Sequence, residues 1–124
     1  PHVERVYFEF LVRARPDRVP LAMDVLLDAL RAEGCLVAQP RYPLLHQQPF
    51  FVEGAWRRVA RGVPDELAPD YARCALPRTE RANLELLRLP SFPFATKELL
   101  DQYAHAFEKT IAHAEELGQH AVRG

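Results

Sequence analysis

Five polar side chains lie within eight residues of the segment QPRYPLLHQQPFF, Gln39 to Phe51: Arg41, Tyr42, His46, Gln47 and Gln48. A permanent cation, a phenol, a titratable imidazole and two amides can each hold a polar ligand by hydrogen bonds, and His46 could also move a proton. Pro40, Pro43 and Pro49 fix φ near −65° and remove backbone donors, so no helix interior or central strand passes through the segment. It is expected to be a shaped, extended loop. Two readings follow: a recognition surface on stiffened backbone, or a steered connection anchored to the core by Tyr42 and the two phenylalanines.

Other chemistry is harder to assemble. His105 and His113, eight residues apart on one predicted helix, are separated by about 12 Å, and His113 and His120 by about 10 Å, too far in either pair to share a metal ion. Ser91 is the only serine and stands between prolines without a nucleophile elbow. The 5 glycines are scattered, which rules out a glycine-rich phosphate loop. Cys35 and Cys74 form no CxxC pair and read as buried, reduced and inert. The two lysines, Lys97 and Lys109, fall at the start and on the polar face of the last helix, whereas a Schiff-base lysine needs a desolvated site. From the residues alone, no complete catalytic apparatus emerges and no residue is assigned a catalytic, cofactor or metal role.

The elements that must position the loop can be read in order. VERVYFEFLV, Val3 to Val12, has the alternation of a half-buried strand, with Val6, Phe8, Phe10 and Val12 on one side. A helix is expected from about 18 to 33, capped by Asp17, with Val19, Met23, Leu26, Leu27 and Leu30 inward and Gly34 ending it. Cys35 to Ala38 reads as a second strand that delivers the chain to the proline loop. A short helix over Glu53 to Arg61 would turn Trp56 and Val59 inward, and Gly62 to Tyr71 reads as a surface connection. Pro77 opens a second full helix that includes Leu86 and Leu87 and stops before Pro90, and Leu89 to Phe94 follows as an extended edge segment. Thr96 caps the last helix, with stripe Leu100, Tyr103, Phe107, Ile111 and Ala114 and an end at Gly118. Residues 119–124 are expected to fray.

This order predicts an α+β fold: a small, mainly antiparallel sheet with helices packed on one face, built as a single domain over residues 1–118. Of 124 residues, 48% are hydrophobic and 27% charged, and the net charge is −1. That balance speaks for a globular protein and gives no electrostatic case for nucleic acid, which is bound through excess Lys and Arg. No apolar run is long enough to span a membrane, and the expected location is cytoplasmic. Pro1 in place of an initiator Met fits either removal of that Met or excision from a longer polypeptide.

GCLVAQPRYPLLHQQPFF, taken with LPRTERANLELLRLPSFPF and LLDQYAHAFEKTIAH, resembles the C-terminal part of the DegT-type sugar aminotransferases. These are fold-type I pyridoxal-phosphate enzymes that aminate keto groups on nucleotide sugars and aminocyclitols. The likeness rests on Gly34, the Tyr42–Pro43 pair, His46, and Pro49 with Phe50 and Phe51, then on Leu89, Pro90 and Pro93. It implies a small domain with an aminotransferase-like sandwich fold. By the same resemblance, the loop of that domain is expected to close over substrate near a homodimer interface, with Arg41, Tyr42 and His46 expected to contact the substrate. Arg41 stands where many members carry His, which brings an aminocyclitol or a differently charged sugar into play. The family's large domain, with its cofactor lysine, lies outside the resemblance. The implied partner is therefore that domain in the same polypeptide, and pyridoxal 5'-phosphate belongs to the parent enzyme and not to this chain. The alternative is a free-standing small-ligand or protein-interaction module.

Overall fold

The structure is a computed structural model that describes residues 8–123, with side chains through Ala121. Contacts group the chain into two compact units, one formed by residues 1–40 with 84–124 and the other by residues 41–83.

In the first unit, strand β1 (Phe10–Arg13) pairs antiparallel with β2 (Leu86–Leu89), Phe10 opposite Leu89 and Val12 opposite Leu87. Together with the helices below it makes the expected α+β fold. Within β1, Phe10 and Val12 are half-buried and Leu11 and Arg13 exposed, the alternation that the sequence implied. Among the described residues the strand begins only at Phe10, and Phe8, expected inward, is 77% exposed. Pro90 supplies the reason: continuing the register would set Glu9 against a residue with no N–H to donate, so the ladder stops. Val3 and Val6 lie outside the described residues.

Helix α1 (Met23–Ala32) buries Leu26, Leu27 and Leu30, the predicted stripe. Its start is five residues later than expected. The Arg18 and Val19 amides both donate to the Arg15 carbonyl and close a separate turn, and Asp17 bonds Arg15 and caps nothing. Gly34 ends the helix as predicted. Its φ of +87° lets the Cys35 amide reach back to the Leu30 carbonyl at 2.9 Å.

Cys35 to Ala38 is extended but is no full strand. Only Ala38 bridges β2, through two bonds with Arg88, because the Leu36 amide donates to the Tyr103 hydroxyl. Leu86 and Leu87, assigned to a helix from the sequence, lie in β2. The helix ends at Leu84, and LELLRL takes a period of two that buries Glu85 and Leu87 and half-buries Leu89. Four apolar residues in so short a run satisfy either period, and pairing with β1 decides it. Pro90 to Phe94 is irregular, not an extended edge, and Phe92 has a φ of +52°.

Thr96 caps α4 (Lys97–Ala112) by accepting from the Leu99 amide. Its inward face is rotated from the expected one: Ala106 and Thr110 are buried and Tyr103 and Phe107 half-buried, while Leu100 and Ile111 remain over 40% exposed. Small residues let α4 approach closely, which a count of large apolar side chains overlooks. After His113 the chain restarts as α5 (Ala114–Arg123), which runs through Gly118. The helix end expected at Gly118 is therefore corrected. A Cβ on Gly118 would meet Leu21 at an ordinary 3.8 Å, so the helix accommodates this position without a glycine-specific conformation.

The second unit consists of short turns: 3₁₀ segments at Leu45–Gln47, Ala55–Arg58, Asp65–Leu67 and Tyr71–Arg73, the four-residue helix α2 (Pro49–Val52), and α3 (Pro77–Leu84) up to residue 83. The helix expected over Glu53 to Arg61 shrinks because Gly54 takes φ +76°. Trp56 is buried as predicted, but Val59 is 77% exposed. Phe51 and Trp56 both pack against Tyr71, at 5.0 and 5.6 Å between ring centroids, and Phe50 meets Phe51 edge-on. These rings hold the unit together where long apolar stripes are lacking.

Candidate functional site

The proline loop is not the extended segment expected: Leu45–Gln47 and Pro49–Val52 form helical turns, because a proline is compatible with a first turn. Pro43 is followed by one 3₁₀ turn, and Pro49 occupies the first position of α2, where a missing donor costs nothing. Arg41 and Tyr42 are exposed, Tyr42 at 59%. The alternative role of Tyr42 as a core anchor thus falls away, and the anchoring is done by Phe51.

His46 is placed differently from its sequence-based role. It is 7% exposed, and its Nε2 lies 3.0 Å from Glu80 Oε1. An ionised carboxylate only accepts, so Nε2 carries the proton and donates. The same Glu80 oxygen accepts the Leu76 amide at 2.9 Å. The Leu76 amide first, and His46 second, hold the Glu80 carboxyl below its ordinary value of 4.5. One carboxylate therefore ties the imidazole of the loop to the first turn of α3. His46 is thus held inside by Glu80, while Arg41 and Tyr42 stay exposed. Sequence reasoning missed Glu80. Its signal was Leu76–Pro77 followed by an acid one turn on, a helix start in which a side chain returns to the first amide.

The remaining candidates are distributed as follows. Cys35 is buried, and burial, with Glu33 second, pushes its thiol pKa up, which removes thiolate character. Lys97 is paired with Asp101 and Lys109 with Glu33, their side chains 81% and 52% exposed. Both are ion-paired and at least half exposed, unlike the desolvated lysine that a Schiff base needs. His113 meets Glu116 at 3.1 Å, and among the described residues no three His, Cys, Asp or Glu side chains converge on a metal position. No helix among them is long and apolar enough to cross a membrane.

Tested against protein-family models, curated proteins and solved structures, the chain finds no match in any of the three.

Proposed function

We propose that this chain is the C-terminal small domain of a DegT-type, pyridoxal-phosphate-dependent aminotransferase that acts in the cytoplasm on a keto-sugar or an aminocyclitol precursor. The domain contributes substrate positioning and homodimer contacts and performs no catalysis alone. The cofactor, held by the large domain of the parent polypeptide, supplies the electron sink for amino transfer.

The observation that carries this reading is the proline loop. Its backbone is stiffened by three prolines and its imidazole is fixed from behind by Glu80, while Arg41 and Tyr42 are exposed at its tip. A side chain that orders substrate must itself be held still, and the bond between His46 and Glu80 does that for the segment carrying both groups. Arg41 suits a carboxylate, phosphate or hydroxyl-rich ligand through its forked donors, and Tyr42 adds a directional hydroxyl. The exposure of Phe8 at 77%, Leu36 at 74% and Phe94 at 95% also suits a unit that packs against more protein.

The test uses a longer polypeptide carrying the reading frame upstream of Pro1. Arg41→Ala and Tyr42→Phe are expected to raise KM for the keto substrate about tenfold with kcat little changed, as for groups that bind ground and transition states alike. Unchanged kinetics in both variants would remove the loop from the site.

A further inference from the structure

We propose that the outer edge of β1 is a self-association surface, on which β1 of a second copy of this chain pairs antiparallel about a two-fold axis at Val12. The surface lies apart from the proline loop and holds whether or not the aminotransferase reading does. The observed register decides which backbone groups face outward. The Ala14 amide donates to the Glu85 carbonyl at 2.7 Å, so Ala14, Val12 and Phe10 turn their backbone groups toward β2. Leu11 and Arg13 turn theirs away, and among the described residues nothing pairs with those amides and carbonyls. The opposite edge of the sheet is closed: Arg88 exchanges bonds of 2.7 and 3.1 Å with Ala38, and Pro90 ends the strand. β1 carries no proline or bulge to block a further strand, and its one charge, Arg13, is already met by Glu85 at 2.5 Å.

Unpaired backbone donors and acceptors call for another strand, and the side chains suit a second copy of the same one. With Val12 opposite Val12 of the second copy, the Leu11 and Arg13 amides meet that copy's Arg13 and Leu11 carbonyls. The Arg13 stem then covers Leu11, which is 41% exposed, and the core face gains contacts at Phe10 and Val12, both only half-buried. In this register no like charges meet, and Glu9 and Arg15 of opposite copies fall at the same ends of the pair. Centring the pair on Arg13 would oppose two guanidinium groups, and centring it on Leu11 would need the backbone of Glu9, which lies outside the strand.

The discriminating experiment sediments the 124-residue chain over a concentration series, and a monomer–dimer equilibrium is expected. Leu11→Pro removes the outward amide and leaves every bond to β2 in place, so it should weaken association about tenfold or more. Single cysteines, introduced with Cys74→Ser and equilibrated in a glutathione redox buffer, report the register. Val12→Cys should link two copies, because directly opposed residues of a non-hydrogen-bonded pair stand about 4.5 Å apart between Cα atoms. Leu11→Cys should not, since two residues of offset carry it beyond the roughly 7 Å that a disulfide spans. The cysteine pair decides the matter independently of whether Leu11→Pro folds. A monomer at every concentration, association that Leu11→Pro leaves unchanged, or linkage through Leu11→Cys in preference to Val12→Cys would each overturn the proposal.

Discussion

Replacing His46 by Ala removes an imidazole that is 7% exposed and the donor that Glu80 receives from the loop. Emptying a packed aliphatic position costs about 2–5 kcal/mol. The imidazole is smaller, and Glu80, a third exposed, can be rehydrated once its partner is gone, so the low end applies, about 2 kcal/mol. The loss should be local. His46, Leu76 and Glu80 all belong to residues 41–83, so one global unfolding free energy would blur the effect. Amide hydrogen exchange resolves it: a loss of 2 kcal/mol corresponds to exchange about 30-fold faster in Leu44 to Val52 and Leu76 to Asn83. Amides of α1 and α4 should keep their wild-type rates. Equal protection of both segments in the variant would refute the argument that this bond holds the loop, and equal loss in α1 would refute its local character.

Further outcomes follow from the same geometry. The Glu80 carboxyl titrates lower in the folded chain than in the unfolded one, so its contribution is fully present above about pH 4.5 and is lost as pH falls through the folded value. Loop protection should therefore decline below pH 4.5 in the wild type, and less so in Glu80→Gln. Thr96→Ala removes the cap of α4 and should cost about 1 kcal/mol, read as a lower melting temperature. Of the two thiols, half-buried Cys74 should be alkylated well before Cys35, which is buried and has its pKa raised; mass spectrometry of a time course reports the order.

The sequence made some features plain for physical reasons. Gly34 was legible because only a left-handed residue lets the Cys35 amide return to Leu30, and the stripe of α1 because Leu26, Leu27 and Leu30 repeat at helical spacing. Thr96 carries a recognisable cap. Misreadings occurred where tertiary pairing outranks local preference. Leu86 and Leu87 continue a helical pattern until β1 claims them, and Pro90, which was expected to end a helix, limits a ladder. The start of α1 moved because Arg15 drew Asp17 away from the cap. At the site, the prolines foretold that no helix interior or central strand runs through the loop, but not its helical turns at Leu45–Gln47 and Pro49–Val52. The burial of His46 was not legible, because its partner Glu80 is 34 residues away and ordinary helix chemistry accounts for that glutamate equally well.

The most direct measurement of the central proposal is absorbance in the internal-aldimine band after adding pyridoxal phosphate, made in parallel on the 124-residue chain and on a polypeptide extended upstream of Pro1. The account predicts no band on the short chain, and on the extended one a band that an amino donor discharges. A reducible adduct on Lys97 or Lys109 of the short chain, or an extended polypeptide that fails to take up the cofactor, would contradict it.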